Sequence, residues 1–152
     1  MSLNEEVDVL RRVPLFARID PAKLKLLAFT SERLVFPAGS ELFRQGDAGD
    51  AAYVLLDGEA DILVDTPEGE IVVAEARRHA FVGEIAILID VPRTATVRAR
   101  TDLAALVVTK ETFLGMAAEF PDVAIEIMRE LAQRLADTTE QLTAARAKMG
   151  TE

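Results

Sequence analysis

Cysteine and tryptophan are absent from this 152-residue chain, and it carries a single histidine, His79. Without thiols there is no disulfide framework, zinc thiolate centre or cysteine nucleophile, and one imidazole cannot build a multi-histidine metal site. No apolar run approaches the roughly 20 residues that cross a bilayer, and the opening MSLNEEVDVL lacks the basic-then-apolar order of a secretory leader. The reading is a cytoplasmic protein with no membrane insertion. Cations are scarce: 17 Lys and Arg stand against 26 Asp and Glu, for a net charge of -9. Such a surface repels a polyanion, because sequence-independent affinity for nucleic acid comes from cations that neutralise phosphates. Direct nucleic-acid binding by this chain is disfavoured.

What is present is half hydrophobic by composition, enough for one folded unit of ordinary domain size spanning residues 1–152. Residues 1–32 read as helices. Ser2 with Glu5 forms a capping box, and Asp20 caps a second helix that starts on Pro21. From 33 to 108 the period changes to short aliphatic and β-branched runs: RLVF, ELFR, AYVLL, ADILV, IVVAEA, TATVRA and LAALVV. About eight strands in so few residues predict an antiparallel β roll, jelly-roll-like and α+β in class. Gly39, Gly46, Gly49, Gly58 and Gly69 are expected at its turns with positive φ. Helix returns over 109–149, capped by Thr109 and resuming after Pro121. Within it Met128, Leu131, Leu135, Thr138, Leu142, Ala145 and Met149 alternate spacings of three and four, the seam of a coiled coil. That pattern predicts a homodimer through the C-terminal helix.

One stretch fits neither period. GEIAILIDVPRTATV, Gly83 to Val97, is apolar, carries Pro92 in its middle, and holds one carboxylate, Glu84, and one guanidinium, Arg93. It is expected to protrude from the roll as a turn of helix and a loop, with Arg93 exposed. Arg93 followed by Thr94 and Ala95 offers a planar fork, a hydroxyl and accessible backbone N–H groups, the equipment for one phosphate. A short helix start at Gly83, Glu84 and Ile85 favours an anion, and Glu84 can accept from ribose hydroxyls. Phosphate and ribose together suggest a nucleotide.

FVGEIAILIDVPRTATV resembles the phosphate-binding cassette of the cyclic nucleotide-binding domain family, an F-x-G-E-x-A element followed about ten residues later by P-R-[TS]-A. FPAGSELFRQGDAGDAAYVLLDGEADI resembles the first strands and turns of the same family. The resemblance covers Leu15 to about Leu142 and implies a phosphate cassette over 83–95 in a bacterial-type regulatory domain. It implies that Arg93 pairs with the cyclic phosphate, that Thr94 and Ala95 add hydrogen bonds, and that Glu84 with the Gly83 backbone takes the ribose 2′-hydroxyl. Ile62 and Val73 correspond to apolar walls beside the purine, and Ile87 to a hinge residue. The C-terminal helix resembles the dimer helix of catabolite activators: Thr138 and Thr139 stand where hydroxyls meet the adenine, and Arg134 where an arginine approaches Glu84. ARRHAF departs from the family's usual Gly-Asp turn at Arg77, Arg78 and His79; His79 reads as a solvent-facing turn residue.

The expectation is a non-enzymatic sensor of a 3′,5′-cyclic nucleotide, cyclic AMP or cyclic GMP with the former preferred. It needs no cofactor, and it acts on an unidentified effector or on a domain outside this chain. A nucleotide-free roll used for dimerisation or docking is the structural alternative. A cupin-type metal enzyme is a remote third, for want of histidines.

Overall fold

A computed structural model describes residues 2–150. Helix α1 (Leu3–Arg11) starts with the capping box foreseen at Ser2 and Glu5, and a 3-10 turn at Pro14–Phe16 leads to α2 (Pro21–Phe29), capped by Asp20. Eight strands follow: β1 (Glu32–Phe36), β2 (Glu41–Phe43), β3 (Ala51–Asp57), β4 (Ala60–Thr66), β5 (Gly69–Ala76), β6 (Phe81–Val82), β7 (Thr96–Ala99) and β8 (Leu103–Thr109). Helix α3 (Glu84–Ile89) interrupts them between β6 and β7, and α4 (Lys110–Glu119) and α5 (Pro121–Gly150) close the chain.

The strands form two antiparallel four-stranded sheets, in the orders β1-β8-β3-β6 and β2-β7-β4-β5. This is the expected β roll. One of its eight strands, β6, matches none of the seven sequence runs because two residues carry no period. Thr94 and Ala95, read within a strand run, lie just outside β7. The β4–β5 hairpin slips register between Ile62 and Leu63: Ala74 faces Ile62, Val72 faces Leu63, and Val73 has no partner. A bulge of this kind bends a strand and turns a side chain off its regular course.

Two cores hold the roll. Leu55, Val82, Val97, Leu103 and Ala105 fill the space between the sheets, with Ile62 and Tyr53 at its edge. The larger core joins the first sheet to the helices and includes Phe16, Phe81, Ile87, Phe113, Val123 and Ile127. Phe81 sits 5.0 Å from Phe16 and 6.0 Å from Phe113, ring centre to ring centre. That aromatic cluster fixes the chain two residues before Gly83, and so fixes where the Gly83 to Val97 segment begins. On the outer face of the second sheet, Arg98 bonds Glu41 and Glu70, and Arg100, just past β7, bonds Asp61 and Glu75, so that charge pairs reach all four strands.

The two ends of α5 differ. Val123 and Ile127 are buried in the domain, whereas every residue from 135 to 150 is exposed. Among the described residues no helix is long and apolar enough to cross a membrane.

Candidate functional site

Arg93 is the centre of the site, and it is not on an exposed loop. Only 4% of it is accessible. The expectation of a protruding arginine fails because two backbones close over it. Its N–H donates to Asp47 O at 2.7 Å and its own carbonyl accepts from Gly46 N–H at 2.8 Å, pinning the β2–β3 loop to the cassette. Its guanidinium donates through Nη1 to Gly83 O at 3.0 Å and through Nη2 to Ala51 O at 2.6 Å. It lies 4.0 Å over the Phe43 ring, a cation-π contact that partly replaces lost water.

Two glycines make this closure possible, for different reasons. Gly83 takes φ +84°, and a Cβ there would meet Arg93 Nη1 at 2.6 Å. Gly49 was expected to need a positive φ and does not. What it needs is space, because a Cβ would lie 2.4 Å from the Ala86 side chain and 3.1 Å from the guanidinium. Gly39, Gly46, Gly58 and Gly69 do have the expected positive φ.

The electrostatics of this clamp are incomplete. No carboxylate among the described residues forms an ion pair with Arg93: its bonded partners are neutral carbonyls, while Asp47, Asp50 and Glu84 act only from a distance. Burial pushes the guanidinium below its ordinary pKa, and it also raises the Tyr53 phenol nearby. Nε of Arg93 is buried and has no hydrogen-bond partner. A buried cation that keeps one unbonded donor is unfavourable unless an anion completes it.

Glu84 opens α3, and its side chain reaches Arg134 of α5, with Nη1 donating to Oε1 at 3.4 Å. The structure thus brings together Gly83, Glu84, Arg93 and Arg134. Thr94 is exposed and Ala95 half-buried beside them, while Ile85 points outward and Ile87 inward. Ile62 is half-buried against the core between the sheets, and Val73 is exposed in its bulge. Thr138 and Thr139 are exposed on α5; the Thr139 hydroxyl donates to Leu135 O within the helix, and no hydrogen bond among the described residues ties either threonine to the cassette. His79 occupies the left-handed region at φ +77°, half-buried, its N–H donating to Leu55 O.

Phe43, Ala51 and Asp47 belong to the clamp but were not singled out in the sequence. They were covered by FRQGDAGDAAY, where the glycines read as turns and nothing marked the carbonyls. Two grooves, of about 390 and 630 Å³, run between the N-terminal helical segments and α5. Neither is lined by a cassette residue.

The family model for the cyclic nucleotide-binding domain matches residues 33–120, which contain the whole clamp. The chain belongs to this family. It is 33% identical over 114 residues to a cAMP-dependent protein kinase regulatory subunit of Aspergillus niger, a match that covers 75% of this chain and 27% of that protein. It is 32% identical over 140 residues to an uncharacterized NTE family protein of Mycobacterium tuberculosis, covering 92% of this chain and 24% of that one. The domain therefore spans about a quarter of the length of these curated relatives. Among solved structures, the N-terminal domain of a transcriptional regulator from Streptomyces coelicolor superposes with a TM-score of 0.79 at 32% identity, covering 89% of this chain and 95% of that one. The catabolite activator protein of Thermus thermophilus superposes at 0.77 with 28% identity, covering 88% and 63%.

Proposed function

We propose that this domain is a non-enzymatic sensor that binds 3′,5′-cyclic AMP in the Arg93 clamp and passes its state on through α5. The observation that carries this reading is a buried guanidinium that forms no ion pair among the described residues and whose Nε has no hydrogen-bond partner. A cyclic phosphate supplies the missing charge and an acceptor for Nε in one group. The Thr94 hydroxyl and the Ala95 N–H, next in the chain, add hydrogen bonds to the same phosphate. Glu84, which opens α3 next to Gly83, accepts the ribose 2′-hydroxyl, with Arg134 holding its carboxylate in place. The name of the Aspergillus relative, a cAMP-dependent regulatory subunit, supports cyclic AMP as the ligand class.

Transmission follows from shared packing. Ile87 of α3 and Val123 and Ile127 of α5 lie in one core, so a cassette drawn toward a ligand moves the surface on which α5 rests. The ligand then shifts a pre-existing equilibrium by its differential affinity for the two arrangements. The exposed seam of α5 forms the homodimer and presents Thr138 and Thr139 toward the adenine, where hydroxyls bias the choice of base without fixing it. The same seam would serve a nucleotide-free docking module. Calorimetric titration with cyclic AMP and cyclic GMP side by side separates these readings: the sensor binds both, cyclic AMP more tightly. Absence of heat with either nucleotide, together with an unchanged melting temperature, would favour the docking module.

A further inference from the structure

Helix α3 has two faces. Ala86 and Ile87 are buried, whereas Ile85 and Ile89, one turn apart, are 45% and 65% exposed. The neighbouring face of α5 is exposed as well, with Met128 at 60% and Leu135 at 68%. The two helices adjoin: Glu84 touches Arg134, and Leu88 and Leu131 pack against the same core. At about 100° per residue, Met128, Leu131 and Leu135 share an arc of about 60°, and Arg134 lies about 60° to the other side of Leu131. The cassette helix therefore flanks the seam rather than lying behind the domain.

The repeat itself argues for what covers this flank. Positions spaced three and four apart run from Met128 to Met149, a period that only another helix of matching repeat can follow, and a second copy of α5 matches it about a twofold axis. A helix seated there, with its axis about 8–10 Å away, passes over the flank that α3 occupies. Resting on the dimer reading above, we infer that Ile85 and Ile89 form a floor for α5 of the partner copy. Met128 of the partner subunit then packs on the cassette helix that carries Glu84 and Ile85. Assembly and cassette position become one equilibrium, because separating the copies bares the apolar face of α3.

The chain has no cysteine, so engineered thiols report contacts without background. Met128→Cys and Ile89→Cys chains of distinguishable size are mixed at full length, allowed to exchange and mildly oxidised. A Met128→Cys chain linking to its own kind reports the seam; a link between the Ile89→Cys and Met128→Cys chains reports the floor. Both are expected. Ile89→Lys is expected to weaken dimerisation at least tenfold in sedimentation, with circular dichroism and melting temperature of the domain unchanged. If the seam link forms while the mixed link does not, and Ile89→Lys dimerises like wild type, the floor is overturned and the dimer stands. If wild type sediments as a monomer at every concentration, with and without cyclic AMP, the dimer reading falls and the floor falls with it.

Discussion

The Arg93 clamp and the outer half of α5 are unfinished in opposite ways. Around Arg93 the packing is complete: two glycines, a phenyl ring and backbone carbonyls enclose the side chain, and what is missing is negative charge. Along α5 beyond Arg134 every described residue is exposed, and what is missing is apolar cover for Leu135, Leu142 and Met149. A buried donor without a partner calls for a small polar ligand, whereas an exposed periodic stripe calls for another surface. One domain thus presents two distinct needs, joined through α3, whose Glu84 meets Arg134 where the outer half of α5 begins.

Substitutions that affect one region and spare the other test this contrast. The largest effect is expected at the seam. Leu135→Arg places a charge on each copy where the proposed dimer brings the helices together, and dimer dissociation measured by sedimentation should rise at least ~100-fold, while the clamp and the fold of the monomer stay intact. Next comes Arg93→Ala. Truncating one partner of a close charge pair costs about 2 kcal/mol or more, so cyclic AMP affinity should fall at least ~30-fold by calorimetry. Because Arg93 is buried and bonded to Gly83 and Ala51, the same variant should also melt lower, by roughly 2–4 °C for each kcal/mol lost. An unchanged melting temperature would return Arg93 to the exposed loop that the sequence suggested. Gly49→Ala should destabilise by about 1–3 kcal/mol through overpacking against Ala86, with no effect on dimer assembly beyond its effect on folding.

The smallest effect belongs to His79. Burial, then the Arg78 and Arg12 guanidiniums, holds its imidazole below the usual pKa of about 6.5. The folded state therefore resists protonation. The contribution is fully present above the unfolded value and is lost as pH falls from there through the lowered folded one. His79→Asn keeps a residue tolerant of left-handed backbone and removes the titration. Its stability should fall less than that of wild type between pH 7 and 5, as measured by denaturant midpoints.

Much of the fold was legible because its signals are local. Caps at Ser2, Asp20 and Thr109 and the change from helical to strand period near residue 33 depend on neighbours in sequence; the caps are where they were expected, and the first strand starts one residue early, at Glu32. The Glu84–Arg134 contact spans 50 residues and followed only from family resemblance. What the sequence hid is long-range and steric. The burial of Arg93 depends on Gly49 and Gly83 leaving room, and a glycine that leaves room looks in sequence like a glycine that turns. Carbonyl acceptors such as those of Ala51 and Asp47 carry no side-chain mark at all. The bulge at Val73 is a register slip, which alternation along one strand cannot reveal.

The claim that Arg93 is a phosphate receptor held ready inside the roll is tested most directly by titrating wild type and Arg93→Lys with 3′,5′-cyclic AMP under identical salt. Lysine keeps the charge and loses the planar fork that divides its donors among Gly83, Ala51 and the ligand. Wild type is expected to bind with measurable heat and Arg93→Lys at least tenfold more weakly, with both proteins folded by circular dichroism. Equal affinity in the two proteins, or no binding by wild type, would contradict the account.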